Sequence, residues 1–125
     1  MESERRHHVR FKVLIPVEVT VLSMDREHIR TLKAIGLDLS VGGMLLAVPE
    51  LLQLRARLDV RFSLFDEERI EAKAVVIRCE RAPGAGSYSE MHRIGVAFET
   101  LSKEIQEKIL KFIFHNVAKE EEINN

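Results

Sequence analysis

The sequence is short of the residues that mark several large functional classes. It has one cysteine, Cys79, no tryptophan, one tyrosine and three prolines. A single cysteine closes no internal disulfide and supplies no thiolate pair for a metal, so a reducing compartment is expected. No apolar run approaches the roughly 20 residues of a membrane-spanning helix. The N-terminus lacks the apolar core of a secretion signal. A soluble, cytoplasmic protein without membrane insertion is therefore expected. The formal net charge of −1 provides no global basic field for duplex DNA. Aromatic residues make up 6% of the chain, too few for the stacking platforms of single-strand binders, so neither DNA nor RNA is an expected partner.

What is present suffices for one packed domain. The chain has 125 residues, 46% of them hydrophobic. A chain of this size buries about two-thirds of its unfolded surface, enough to fold without disulfides or metal. Apolar residues alternate at Phe11, Val13, Ile15, Val17, Val19 and Val21, which predicts a first strand over Phe11–Leu22. Pro16 within it has no N–H to donate and points to an edge or a bulge. A second strand is predicted over Ile29–Leu39, with Gly36 at a bulge. A short third follows over Met44–Val48. Leu58, Val60, Phe62 and Leu64 alternate in a fourth, and Asp66, Glu67 and Glu68 form its hairpin turn. The fifth, Ile70–Cys79, alternates until "VVI" blurs its faces. Residues 81–92 read as a loop, on Pro83, Gly84 and Gly86. The last strand covers His92–Glu99, where Gly95 suggests close backbone contact or a bulge.

The period then changes. Ile105, Ile109, Phe112, Ile113 and Val117 recur at helical spacing, with Ser102 as N-cap and Glu104 in the first turn. A helix over about Lys103–Val117 is predicted, its stripe facing the core or, less simply, a partner helix. The tail "KEEEINN" reads as frayed and solvated. Six regularly spaced strands and one late helix make a mainly β protein, either a small barrel or a sandwich.

Two stretches carry unusual chemistry. "SERRHHVRF" crowds Arg5, Arg6 and Arg10 before the first strand. Arginine forks bind phosphate in bidentate fashion, and their planes stack on purines. Arg6 and Arg10 would be neighbours in a turn and roughly 13 Å apart in an extended chain, at about 3.3 Å per residue. A solvated basic tail explains the same residues. "DLSVGG" ends the second strand. Asp38 and Ser40 point to one face of an extended chain. Asp38 offers acceptors that suit the N–H donors of guanine, and Ser40 both donates and accepts. Gly42 and Gly43 allow positive φ and close backbone approach. Taken by itself, this pattern reads first as a strand-ending turn.

Taken together, R-x-x-x-R before the first strand and D-x-S-x-x-G after the second resemble the PilZ domain. The resemblance covers nearly the whole chain: "RFKVLIPVEV", "LDLSVGGMLL", "VVIRCE" and "RIGVAFETLSKE". PilZ domains are bacterial receptors for cyclic di-GMP, and their fold is a six-stranded antiparallel β-barrel with a C-terminal α-helix. The resemblance implies a PilZ-like domain over residues 1–118, with residues 1–10 as a ligand-binding tail and a disordered acidic tail over 119–125. It implies that Arg6 and Arg10 grip the phosphates and stack on the bases, and that Asp38 and Ser40 contact a guanine. Gly42, Gly43 and Gly95 complete the implied binding set. Arg5, directly before the motif, implies an intercalated ligand dimer. The tail is then expected to be mobile when free and ordered by the dianion, at some cost in affinity.

Other residues carry weaker readings. His7 and His8 are adjacent, point different ways and have no partner at ligand spacing, so no metal is expected. Arg78, His92 and Arg93 read as surface charge that could line the ligand face. Met44 and Met91 read as core or rim, and Cys79 as a small buried hydrophobe. No nucleophile–base pair or P-loop is present, so no enzyme is expected. The implied function is a cyclic di-GMP sensor, without other cofactor, that signals to an unidentified downstream protein as a monomer or a ligand-bridged dimer. The rivals are a PilZ-like adaptor that does not bind the nucleotide and a single-strand nucleic-acid binder.

Overall fold

The computed structural model describes residues 10–22, 29–80 and 91–124. Six strands form a closed antiparallel barrel: β1 (Phe11–Leu22), β2 (Arg30–Leu39), β3 (Gly43–Val48), β4 (Arg57–Leu64), β5 (Glu68–Glu80) and β6 (His92–Phe98). Their order round the barrel is β1-β2-β3-β6-β5-β4. Of the two architectures open to the strand pattern, the barrel is the one formed. One helix follows, α1 (Lys103–Asn124).

Alternation places one residue set inside. Val17, Val19, Val21, Leu46, Val48, Leu58, Val60, Leu64, Ile70, Ala74, Val76, Ile94 and Val96 are buried in one cluster. β1 pairs with β4 only from Glu18 to Leu22, so Pro16 lies where β4 no longer needs a donor from β1. β1 also bulges between Lys12 and Ile15.

The helix closes the core. Ser102 Oγ accepts the Ile105 N–H at 3.2 Å, which fixes the start of α1 at its predicted cap. Ile109 and Ile113 are fully buried in the barrel's core cluster, so the apolar stripe is core. The helix runs past Val117, which packs against the core, to Asn124, through alanine, lysine and glutamates that favour helix on their own. Truncating Ile113 to alanine should cost about 2–5 kcal/mol in urea unfolding. A loss below about 1 kcal/mol would mean that the helix packs loosely and is available to another protein.

The β4–β5 turn falls earlier than the charge run suggests. Glu67 N–H donates to the Leu64 carbonyl at 3.2 Å, and Phe65 and Asp66 take φ of 54° and 64°. Both central residues are left-handed, as a hairpin's twist requires. Phe65 is a costly residue there. Its ring meets Phe112 edge-on at 5.2 Å and His115 at 5.3 Å, so α1 holds the strained turn in place. Ion pairs lie outside. Arg57 meets Glu99 through two 3.0 Å bonds, and this hydrogen bonding, with the carboxylate's charge, raises the guanidinium pKa. Arg30 likewise pairs with Glu50.

Candidate ligand-binding site

Two bulges shape the outer wall of the barrel. In β2, Leu37 is the extra residue between the rungs Gly36↔Leu46 and Asp38↔Leu45. The slip moves Leu39 into the core and leaves Asp38 facing out. In β5, Ile77 is the extra residue between Val76↔Val96 and Arg78↔Gly95. The pair β3–β6 lies between these two strands. A pocket of about 500 Å³ opens across the four, within the size range of small-molecule sites.

Arg10, Asp38, Ser40, Gly42, Gly43 and Gly95 all line this pocket. Six of the eight residues proposed from sequence are thus brought together from three separate segments. Arg5 and Arg6 lie outside the described residues, as do His7 and His8. Arg10 is exposed and lines the same pocket as Asp38. Sequence reasoning underrated Ile77 and Arg78, which also line the pocket. The blurred "VVI" faces were their signal.

Several of these polar groups also hold the fold. Asp38 Oδ1 accepts the Leu45 N–H at 3.0 Å, in the rung beside the β2 bulge. Ser40 is the one buried polar residue among those described, at 5% exposure. Its Oγ accepts the N–H groups of Gly42 and Gly43 at 3.1 and 3.2 Å, and its own N–H donates to the Gly43 carbonyl at 2.9 Å. This is the strand-ending turn that the sequence allowed. Gly43 is required by packing: a Cβ there would stand 2.0 Å from the Val96 carbonyl oxygen. The arrangement presents carboxylate, backbone and arginine groups around an open, partly apolar cleft. It suits a planar ligand bearing both N–H donors and negative charge.

Residues 4–115 match the PilZ domain family. The chain belongs to that family. Among curated proteins, none matches it. Solved structures share the fold. The PilZ domain of YcgR from Escherichia coli, solved with c-di-GMP, is 20% identical with a TM-score of 0.71, covering 97% of this chain and 99% of that one. YcgR from Escherichia coli in complex with c-di-GMP is 21% identical with a TM-score of 0.74, covering 96% of this chain and 49% of that one. The Bacillus subtilis inhibitor of motility, MotI/DgrA, is 19% identical with a TM-score of 0.70, covering 92% of this chain and 52% of that one. This PilZ chain therefore spans about half the length of those two larger proteins. Among the described residues, no helix is long and apolar enough to cross a membrane, and no three His, Cys, Asp or Glu cluster as a metal site would need.

Proposed function

We propose that this PilZ domain is a receptor for cyclic di-GMP that binds the dinucleotide without turning it over. The observation that carries the reading is the convergence of Arg10, Asp38, Ser40, Gly42 and Gly43 on one pocket. The c-di-GMP-bound YcgR structures, which share its fold, support it. In this reading Asp38 accepts N–H bonds from a guanine through the oxygen that does not serve Leu45. Arg6 and Arg10 hold the phosphates by charge-assisted, bidentate bonds. Arg5 favours two intercalated ligand molecules per protein. Ligand binding draws the N-terminal segment onto the barrel and changes a surface that a protein partner reads.

A second reading has its own support. Asp38, Ser40 and Gly43 each have a structural duty, so the D-x-S-x-x-G pattern is satisfied without a nucleotide. The domain would then be an adaptor. Isothermal titration calorimetry with cyclic di-GMP separates the two. The receptor reading expects binding at a ligand-to-protein ratio near two, and its loss in Asp38→Ala. A ratio near one would keep the receptor and discard the intercalated dimer. No binding by the folded wild type, checked by thermal shift, would leave the adaptor.

A further inference from the structure

The connection between β3 and β4 is firmly held, yet it exposes leucines. Arg55 N–H donates to the Val76 carbonyl of β5 at 2.7 Å, and Val76 N–H donates to the Ala56 carbonyl at 2.9 Å. Ala56 N–H closes a turn onto the Gln53 carbonyl at 3.1 Å. Cys79 Sγ donates to the Leu52 carbonyl at 3.0 Å, and the Leu52 side chain is buried in the core. On either side of this anchor, Leu51 and Leu54 are 50% and 61% exposed. Arg55 takes φ of 69°, a left-handed conformation that a residue other than glycine adopts only at a cost. A single exposed leucine needs no explanation. Two of them beside a strained arginine, on a loop bonded to the barrel wall, mark a surface held in one shape.

These side chains border a groove of about 610 Å³. It lies at the Arg57 end of β4, opposite the Phe65 turn that α1 covers. Val21, Leu22 and Leu52 supply apolar lining, and Arg30, Arg55 and Arg57 supply cations. Among the described residues, no carboxylate lines the groove. Glu50 pairs with Arg30 and Glu99 with Arg57 from outside it. Arg55 is exposed and has no such partner among the described residues. A chain of net charge −1 thus keeps one apolar groove with a positive excess. The complement is an anionic group set among apolar ones. An anionic membrane is met by protruding apolar tips among several unpaired cations. Here the surface is concave, and two of its three arginines are already paired. One carboxylate between apolar side chains, as a peptide presents them, fits it better.

We propose that the β3–β4 loop docks a protein partner through an acidic segment with apolar side chains. The apolar side chains pack against Leu51 and Leu54, and a carboxylate of the partner pairs with Arg55. The groove shares no lining residue with the Asp38 pocket. The proposal therefore stands whether the domain is a receptor or an adaptor.

A random-peptide library displayed on phage, selected on the wild-type domain and depleted on Leu54→Asp, tests it. The enriched peptides should share an Asp or Glu flanked by Leu, Ile or Phe. A synthetic peptide of that consensus should bind Leu54→Asp and Arg55→Glu at least about tenfold more weakly than wild type. Both side chains are exposed, and Arg55→Glu keeps a side chain at the same φ, so Tm should stay within about 2 °C of wild type. The same peptide with Lys in place of its acid should prefer Arg55→Glu to wild type, a reversal that no folding defect produces. Failure to enrich any peptide, a consensus without an acid, or wild-type affinity in Arg55→Glu overturns the proposal. Co-sedimentation of wild type, but not Leu54→Asp, with phosphatidylglycerol–phosphatidylcholine vesicles would overturn it in favour of a lipid surface. A concentration-dependent dimer in sedimentation velocity, lost in Leu54→Asp, would overturn it in favour of a second copy of this chain.

Discussion

A protein carrying Arg6→Ala and Arg10→Ala together is expected to bind cyclic di-GMP roughly 10²–10⁴-fold more weakly than wild type. Each arginine would contribute a charge-assisted hydrogen bond of about 1.5–3 kcal/mol, so the pair removes about 3–6 kcal/mol. Arg10 lines the pocket from an exposed position just before β1, so removing it leaves no buried group unpaired. Arg6 enters on the R-x-x-x-R pattern alone. Stability should therefore hold while affinity falls, a combination that a core defect cannot produce. Calorimetry at one fixed salt concentration, with thermal unfolding of the same samples, reads both quantities. If the arginines clamp one ligand, each single variant should already lose much of the total, because the remaining arm loses the geometry that the other imposed. A double variant within tenfold of wild type would remove the N-terminal clamp from the binding scheme. The pocket would then have to work through Asp38 and the β5 wall.

The barrel was legible because its inward residues alternate. Val17, Val19 and Val21, or Leu58, Val60, Phe62 and Leu64, declare their face with no knowledge of the partner strand. Such a pattern does not choose between barrel and sandwich, since closure depends on pairings such as Glu18↔Arg61, remote in sequence. The bulges were half legible. Gly36 marked the neighbourhood of the first, but the extra residue is Leu37. The second showed only as lost alternation at "VVI", which hid that Ile77 and Arg78 share a face. The β4–β5 turn was placed on the charged residues, whereas Phe65 carries it. A bulky residue at positive φ is disfavoured locally, and it persists because Phe112 and His115 arrive from the far end of the chain. Most of the proposed site converged for the opposite reason. Asp38, Ser40 and the two glycines are neighbours in sequence, so one local turn assembles them.

Gly43 separates what a motif residue does for a ligand from what it does for the fold. Gly43→Ala is expected to destabilise the protein by about 3–5 kcal/mol, at the high end for a point substitution. The added Cβ would meet the Val96 carbonyl oxygen at 2.0 Å, its carbon at 3.0 Å and the Ala97 Cα at 3.2 Å. All three are backbone atoms in the neighbouring strand, so no rotamer change relieves the clash. β3 would have to leave β6 at the rung Gly43↔Ala97. That movement also strains the 2.9 Å bonds from Phe98 N–H to the Gly42 carbonyl and from Ser40 N–H to the Gly43 carbonyl. The loss is a large part of the roughly 5–15 kcal/mol that a domain has in total, so Tm should fall on the order of 15 °C or more. Gly95→Ala is the control. Its Cβ would meet only Arg78 side-chain atoms, at 3.5–3.9 Å, an ordinary contact, so its Tm should stay near wild type. Equal Tm values for the two variants would mean that β3 and β6 can part at no cost, contrary to the packing. If Gly43→Ala alone falls, any loss of cyclic di-GMP binding in that variant reports a broken β3–β6 rung. The case for ligand contact must then rest on Asp38, Arg10 and Arg78, whose side chains can be changed without forcing two backbones together.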